Sequence, residues 1–466
     1  MNKIKLKNLW HEIVESVRGT ERDFTDVNLG QAILLLSIPM VLEMLMESIF
    51  AVVDIFFVSQ VGSDAVAAVG ITESVLTIVY SVGSGLSMAT TALVARRIGE
   101  KEPGKAATAA VQAIVASFGV SLLISLPGLF FAKGLLRLMG ASAAVVETGY
   151  LYTAIILGSN SLILLLFIIN SIFRSAGDAA ISMRVLFLAN MINMILDPCL
   201  IFGLGPFPEL GVQGAAVATL IGRGIAVLYQ FILLFKGSAR VKISLPQFKV
   251  HFSVMKQLFS LSLGGIGQSL IATSSWVLLV RIIAVFGSAV MAGYTIAIRI
   301  IIFSLLPSWG LSNAASTLVG QNLGAKKPDR AERAVWLTGF INMAFLGIIG
   351  VLFILFAEPI IRIFTGETRV VVSGAICLRF ITYGFLSYGF GMVIVQGFNG
   401  AGDTSTPMKI NFFCFWLLEI PLAWFLALPV GLGEKGVYVA IVIAESVMTI
   451  VGILIFRRGK WKKREV

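Results

Sequence analysis

Twelve long apolar stretches restrict this chain more than any other feature of its sequence. A helix needs roughly 20 apolar residues to cross a hydrocarbon core. Such spans lie near 33–58, 67–95, 106–131, 150–173, 182–204, 212–235, 257–285, 290–320, 332–357, 373–398, 406–428 and 436–456. Lipid offers the backbone no hydrogen-bond partners, so each stretch is expected to be helical. Composition agrees: 57% of the 466 residues are hydrophobic and only 13% are charged. A soluble domain, whose surface faces water, carries about twice that charge.

The charge that remains is clustered. Counting each loop with its flanking turns, the N-terminal tail, every second loop and the C-terminal tail hold 27 of the 36 Lys and Arg residues. The other loops hold 5, and Arg223, Arg281, Arg299 and Arg379 lie inside spans. By the positive-inside rule both termini are cytoplasmic and the chain is a multi-pass protein of the cell inner (plasma) membrane. The net charge of +11 therefore implies no nucleic-acid partner. Cys199, Cys377 and Cys414 lie in apolar segments without a CxxC spacing, which argues against disulfides or zinc. His11 and His251 lie far apart in polar segments, and the first thirty residues show no cleavable signal peptide.

The chain repeats itself at one constant offset of 225 residues. Leu36-Ser37 meets Leu261-Ser262, Gly62-Ser63 meets Gly287-Ser288, and Gly85-Leu86-Ser87 meets Gly310-Leu311-Ser312. Gly99 meets Gly324, Pro103 meets Pro328, and Ala176-Gly177-Asp178 meets Ala401-Gly402-Asp403. Each half has an even number of spans, so both enter the membrane in the same direction. Two parallel six-helix bundles related by a pseudo-twofold axis along the membrane normal are the expected fold, all-α throughout. Transporters use such repeats to enclose a site between two rocking bodies. The expected division is a cytoplasmic N-terminal segment 1–30, an N-terminal lobe 31–236, a cytoplasmic linker 237–255, a C-terminal lobe 256–456 and a basic tail 457–466.

Several segments make the sequence resemble the multidrug and toxic compound extrusion (MATE) family. These are IPMVLEMLMESIFAVVDIFFVSQVG in the first span, ALVARRIGEKEPGKA after the second, RSAGDAAISM, NMINMILDPCLIFG in the fifth and GVQGAAVAT opening the sixth. The second half has GQNLGAKKPDRAERA and QGFNGAGDTSTPM at matching places. The resemblance implies export of amphipathic, often cationic compounds, driven by inward flow of H⁺ or Na⁺. It is nearer the DinF-like branch than the NorM-like one, whose essential acids sit in the seventh and tenth spans. Here the seventh holds Gln268 and no acid, and the tenth has none.

The polar residues inside spans point to the same half. A charge at the bilayer centre costs at least about 2.5–3.5 kcal/mol, so it is a functional candidate. At the repeat offset Asp54, Asn193 and Asp197 face Leu279, Leu418 and Leu422; the fold accepts leucine at all three places. Asn193 and Asp197 are four apart on one helix face, and two carboxylates sharing a poorly solvated lobe titrate as a coupled pair. Such a pocket holds a proton, or Na⁺ with Asn193 as a neutral oxygen ligand. These three residues match the family's N-lobe cation site, which often adds a hydroxyl from the sixth span; Thr219 is the nearest candidate. Glu43, Glu47, Phe50 and Asp54 follow 4-3-4 spacing down one stripe of the first helix. Glu43, Glu47, Phe50 and Asn190 are the expected cavity residues for a cationic substrate. Pro39 interrupts the first span and is the expected hinge. Glu419 and Glu445 are expected to pair with Arg281, Arg299 or Arg379, the alternative being contact with cationic substrate.

Gly99–Lys105, GEKEPGK, satisfies a nucleotide-loop pattern, but Ala106 stands where Ser or Thr must hold magnesium. The expected protein is thus no enzyme and no ATP-driven pump. It is a secondary antiporter working by alternating access, a monomer among membrane lipids, acting on small organic molecules with H⁺ or Na⁺ in place of a cofactor. The alternatives are a lipid-linked oligosaccharide flippase of the same superfamily and an intramembrane transferase. The transferase would need acids clustered for magnesium diphosphate, which the sequence lacks.

Overall fold

The computed structural model describes residues 3–20, 22–237 and 240–466. Among them nine helices are each long and apolar enough to cross a membrane, and two bent helix pairs make eleven. Leu29–Ser59, 31 residues, supplies the twelfth. In order the spans are Leu29–Ser59, Ser63–Gly99, Pro103–Phe130, Ala143–Gly158 with Asn160–Ala176, Ala179–Phe202 and Val212–Lys236. The second six are Phe252–Ile283, Ser288–Gly324, Pro328–Arg362, Thr368–Thr382 with Phe385–Gly400, Ser405–Ala427 and Glu434–Arg457. An amphipathic helix, Lys3–Arg18, precedes them and packs on the first and fifth spans. The sequence reading assigned no element there.

The repeat is visible in the backbone, residue by residue. The fourth span bends by 41° at Ser159 and the tenth by 54° at the break before Phe385, with Gly384 standing 225 residues after Ser159. Phe131 and Phe356 share an irregular conformation, φ −115 and −112 with ψ 20. Lys101 and Lys326 both take φ +59 in the turn that follows the second and eighth spans. Pro103 and Pro328 then open the next helices at the first turn, where a missing N–H costs nothing. The Gly99–Lys105 motif is a helix end, this turn and a helix start.

Contacts between the halves obey the same symmetry. The first span packs on the eighth and the second on the seventh, a pair of contacts that exchange under the repeat. Glycines set the distance. A Cβ on Gly310 would come within 2.8 Å of the Met40 and Val41 backbone, and one on Gly85 within 2.6 Å of the Ser262 carbonyl. Between helices in lipid, close packing replaces hydrophobic drive, and small residues allow it.

Further contacts all lie at one end, the end bearing the basic turns. A Cβ on Gly99 would stand 1.9 Å from the Gln321 carbonyl oxygen, and one on Gly324 2.1 Å from that of Arg96. Gln321 Nε2 donates to the Ser175 carbonyl at 2.8 Å. Lys327 bonds Asp26 at 2.5 Å, and Arg330 donates to the Val27 carbonyl. Arg96 and Arg97 donate to the Arg464 and Val466 carbonyls at 2.7 and 2.6 Å. Trp461, 1% exposed, stacks on Phe456 and anchors that tail. In this conformation the lobes are locked together at their basic end.

Candidate coupling site

The fifth and sixth spans build one wall of the site. Asn190, Asn193 and Asp197 recur at spacings of three and four, so they share one face of the fifth helix. Gly222 lets the sixth helix close upon it, since a Cβ there would be 2.8 Å from the Ala189 carbonyl. That approach brings Thr219 to Asn193. With the Asn193 amide turned to satisfy both its atoms, Nδ2 donates to Asp197 Oδ2 at 2.8 Å. Its oxygen accepts from Thr219 Oγ1 at 3.1 Å and from the Thr219 N–H at 3.0 Å. Asp197 is fully buried and Asn193 is 2% exposed. Pro198 follows at once and has no N–H for the Met194 carbonyl, which leaves a further backbone oxygen without its helical donor.

The first span brings the second acid. Asp54 is half-buried and near enough for its charge to act on Asp197. Three of the four residues singled out for the coupling site therefore meet through direct hydrogen bonds, and Asp54 lies within charge range of Asp197. Their repeat counterparts, Leu279, Leu418, Leu422 and Ala444, carry no polar side chain. The arrangement offers two carboxylates, an amide and a hydroxyl in a protein-lined, poorly solvated place, a set suited to a proton or a small hard cation.

The stripe on the first helix divides. Glu43 does not open to a cavity. It is 1% exposed, and its Oε1 accepts from Arg174 Nη1 at 2.5 Å. Arg174 reads as a loop charge in the sequence; here it ends the fourth span and reaches back into the closed end of the lobe. Glu47 and Phe50 are half-buried, and Asn190 is 6% exposed, its Nδ2 without a partner among the described residues. Pro39 is buried one residue before the backbone of Met40 meets Gly310. It therefore lies where the first span crosses the other lobe.

Arg223 is the functional group that sequence reasoning passed over. It lies one helical turn from Thr219 on the same face, its guanidinium beside the Tyr80 hydroxyl and within charge range of Glu47 and Asp54. The signal was available: Arg223 is the lone Lys or Arg in the middle of an apolar stretch of the first half, four residues from a nominated ligand.

In the second half, Glu419 and Glu445 do not pair with arginine among the described residues. Glu419 accepts from Ser275 Oγ at 2.7 Å. Glu445 Oε2 has no partner among the described residues. Arg379 donates to the Ile354 carbonyl instead. Spacing along a helix says which face a charge occupies, not which neighbour waits there.

Comparison with known proteins follows this geometry. The MatE family model matches residues 39–199 and 266–425, one segment in each half. A probable multidrug resistance protein NorM of Thermotoga maritima is 26% identical, over 92% of this chain and 93% of its own. A FAD transporter of Shewanella oneidensis is 26% identical, over 91% and 93%. The solved structure of a MOP superfamily transporter from Pyrococcus furiosus superposes with a TM-score of 0.88 at 27% identity, covering 97% of this chain and 99% of that one. Two parallel six-span bundles, glycine-tight contacts between them and matches in both halves have one reading: the chain belongs to the MatE family and is a MATE transporter, a multi-pass membrane protein and not an enzyme.

Proposed function

We propose that this transporter is a secondary antiporter of the DinF-like branch that exports amphipathic, cationic compounds in exchange for H⁺ or Na⁺. One observation carries the reading: Asp54, Asn193, Asp197 and Thr219 converge in the first lobe, where the repeat has only apolar counterparts. An ion entering this cluster neutralises carboxylates that are otherwise buried at a cost. The ion and the exported compound then favour different conformations, and that difference in affinity is the coupling.

Pro39 serves as the hinge, since its helix meets the other lobe beside it. The basic end locked in this conformation is the cytoplasmic one by the distribution of Lys and Arg, so the conformation faces outward. The protein works as a monomer in the plasma membrane with both termini inside. Transport in purified proteoliposomes, with Na⁺ and H⁺ gradients imposed separately, tests the reading. Efflux that follows neither gradient overturns it.

A second reading has an observation of its own. Arg223 stands among the acids of the first lobe, and a relative is named a FAD transporter. An anionic substrate would use that guanidinium. Competition between a fluorescent organic cation and a dinucleotide separates the two readings, and displacement by the dinucleotide alone favours the second.

A further inference from the structure

The two copies of the repeat differ where their last two spans meet. In the first lobe Gly222 lets the sixth helix lie on the Ala189 carbonyl of the fifth. Its counterpart in the second lobe is Val447, which has no such freedom. The fifth span is α-helical throughout, whereas Phe412–Glu419 of the eleventh is a π-helix, a wider turn frequent at functional sites. A groove of about 460 Å³ lies between the eleventh and twelfth helices beside this π-helical segment.

Its walls are aliphatic: Ile410 and Leu418 from the eleventh span face Val447, Val451 and Ile455 from the twelfth. At the basic end of the molecule the lining changes to Lys409, Arg458 and Lys460. All three are exposed, and none forms an ion pair among the described residues. Arg458 and Lys460 replace Leu233 and Phe235 of the other lobe, while Lys409 has the cationic counterpart Arg184, so two of the three rim cations are not part of the repeat. The acid nearby in sequence, Asp403, is engaged by the hydroxyls of Ser405 and Thr406 at 3.0 and 2.7 Å. Phe413 and Leu417 stand 61% and 54% exposed on the same face of the eleventh span, the face that meets lipid.

We infer that this groove is a binding site for an anionic phospholipid. One acyl chain lies along the aliphatic walls, and the phosphate is held by Lys409, Arg458 and Lys460. Each half of the groove demands its half of the ligand. Free phosphate leaves the walls bare, while a zwitterionic lipid brings its own cation to the rim. Basic clefts between spans near the charged leaflet are known to hold such head groups.

Native mass spectrometry of the purified protein with phosphatidylglycerol, and separately with phosphatidylcholine, tests the site. The wild type should retain one phosphatidylglycerol. Lys409→Gln/Arg458→Gln/Lys460→Gln should weaken retention about 100-fold, roughly five-fold for each charge. All three positions are exposed, so the triple variant keeps the fold. Val451→Trp, which fills the groove and leaves the rim intact, should also lose the lipid. Retention by the triple variant at the wild-type level overturns the site, as does equal retention of phosphatidylcholine. Full competition by inorganic phosphate would likewise overturn it.

Discussion

Replacing Gly324 by alanine puts a methyl group 2.1 Å from the Arg96 carbonyl oxygen, and replacing Gly99 puts one 1.9 Å from that of Gln321. Both obstacles are backbone, so no side chain can swing aside. Ordinary contact begins near 3.4 Å, and the two helix ends must part by more than 1 Å. Overpacking of this kind costs about 1–3 kcal/mol. The cost falls on the state in which the basic ends touch and spares one in which they are apart. The equilibrium between those states should therefore move by about 5- to 150-fold. Spin labels at the exposed positions Lys105 and Arg333 report the separation of the two lobes at this end. Each alanine variant should transfer population to a longer distance, Gly99→Ala more than Gly324→Ala. Wild-type distance distributions in both variants, whether or not the melting temperature falls, would refute the claim that this contact holds the lobes closed.

The remaining expectations concern the buried charges. Asp54→Asn and Asp197→Asn should each abolish ion-driven efflux in proteoliposomes while leaving insertion and melting temperature near the wild type; driven efflux that persists in either removes it from the coupling site. Arg174→Ala leaves the Glu43 carboxylate buried without its partner and should cost about 3–5 kcal/mol of stability. Adding Glu43→Gln should restore most of that loss in a thermal melt, and no restoration would mean the ion pair is not what was removed. Arg223→Gln takes a cation out of the acidic cluster and should tighten binding of an organic cation about five-fold, roughly 1 kcal/mol. Weaker binding of the cation would place Arg223 on the substrate side of the account.

The spans and the repeat were legible because each rests on a local property. Hydrocarbon selects long apolar helices wherever they occur in the chain, and an offset of 225 needs only identities at fixed spacing. The backbone confirms that offset at Phe131 and Phe356 and at Lys101 and Lys326. The helix Lys3–Arg18 escaped notice because its polar composition also suits an unstructured tail, and what marks it is packing on the first and fifth spans.

The site was legible in part. Asn193 and Asp197 share a face by helical spacing, and comparison with Leu418 and Leu422 marked them as polar by choice. Their meeting with Thr219 depends on Gly222 closing two helices together. Glu43 belongs to the same stripe as Glu47 and Asp54, yet Arg174 comes to it from 131 residues away. Nothing in the first span announces that partner.

By itself, then, the sequence determined the solvent, the number of crossings, the twofold plan and the half that keeps Asp54 and Asp197 where its copy has leucine, since all of these follow from residue type and spacing. Tertiary structure decided which acids are spent on ion pairs, which converge with Asn193 and Thr219, and which end of the molecule is shut. The physical reason is that helix bends, tilts and glycine contacts place side chains against neighbours distant in the chain, and electrostatic energy depends on those distances.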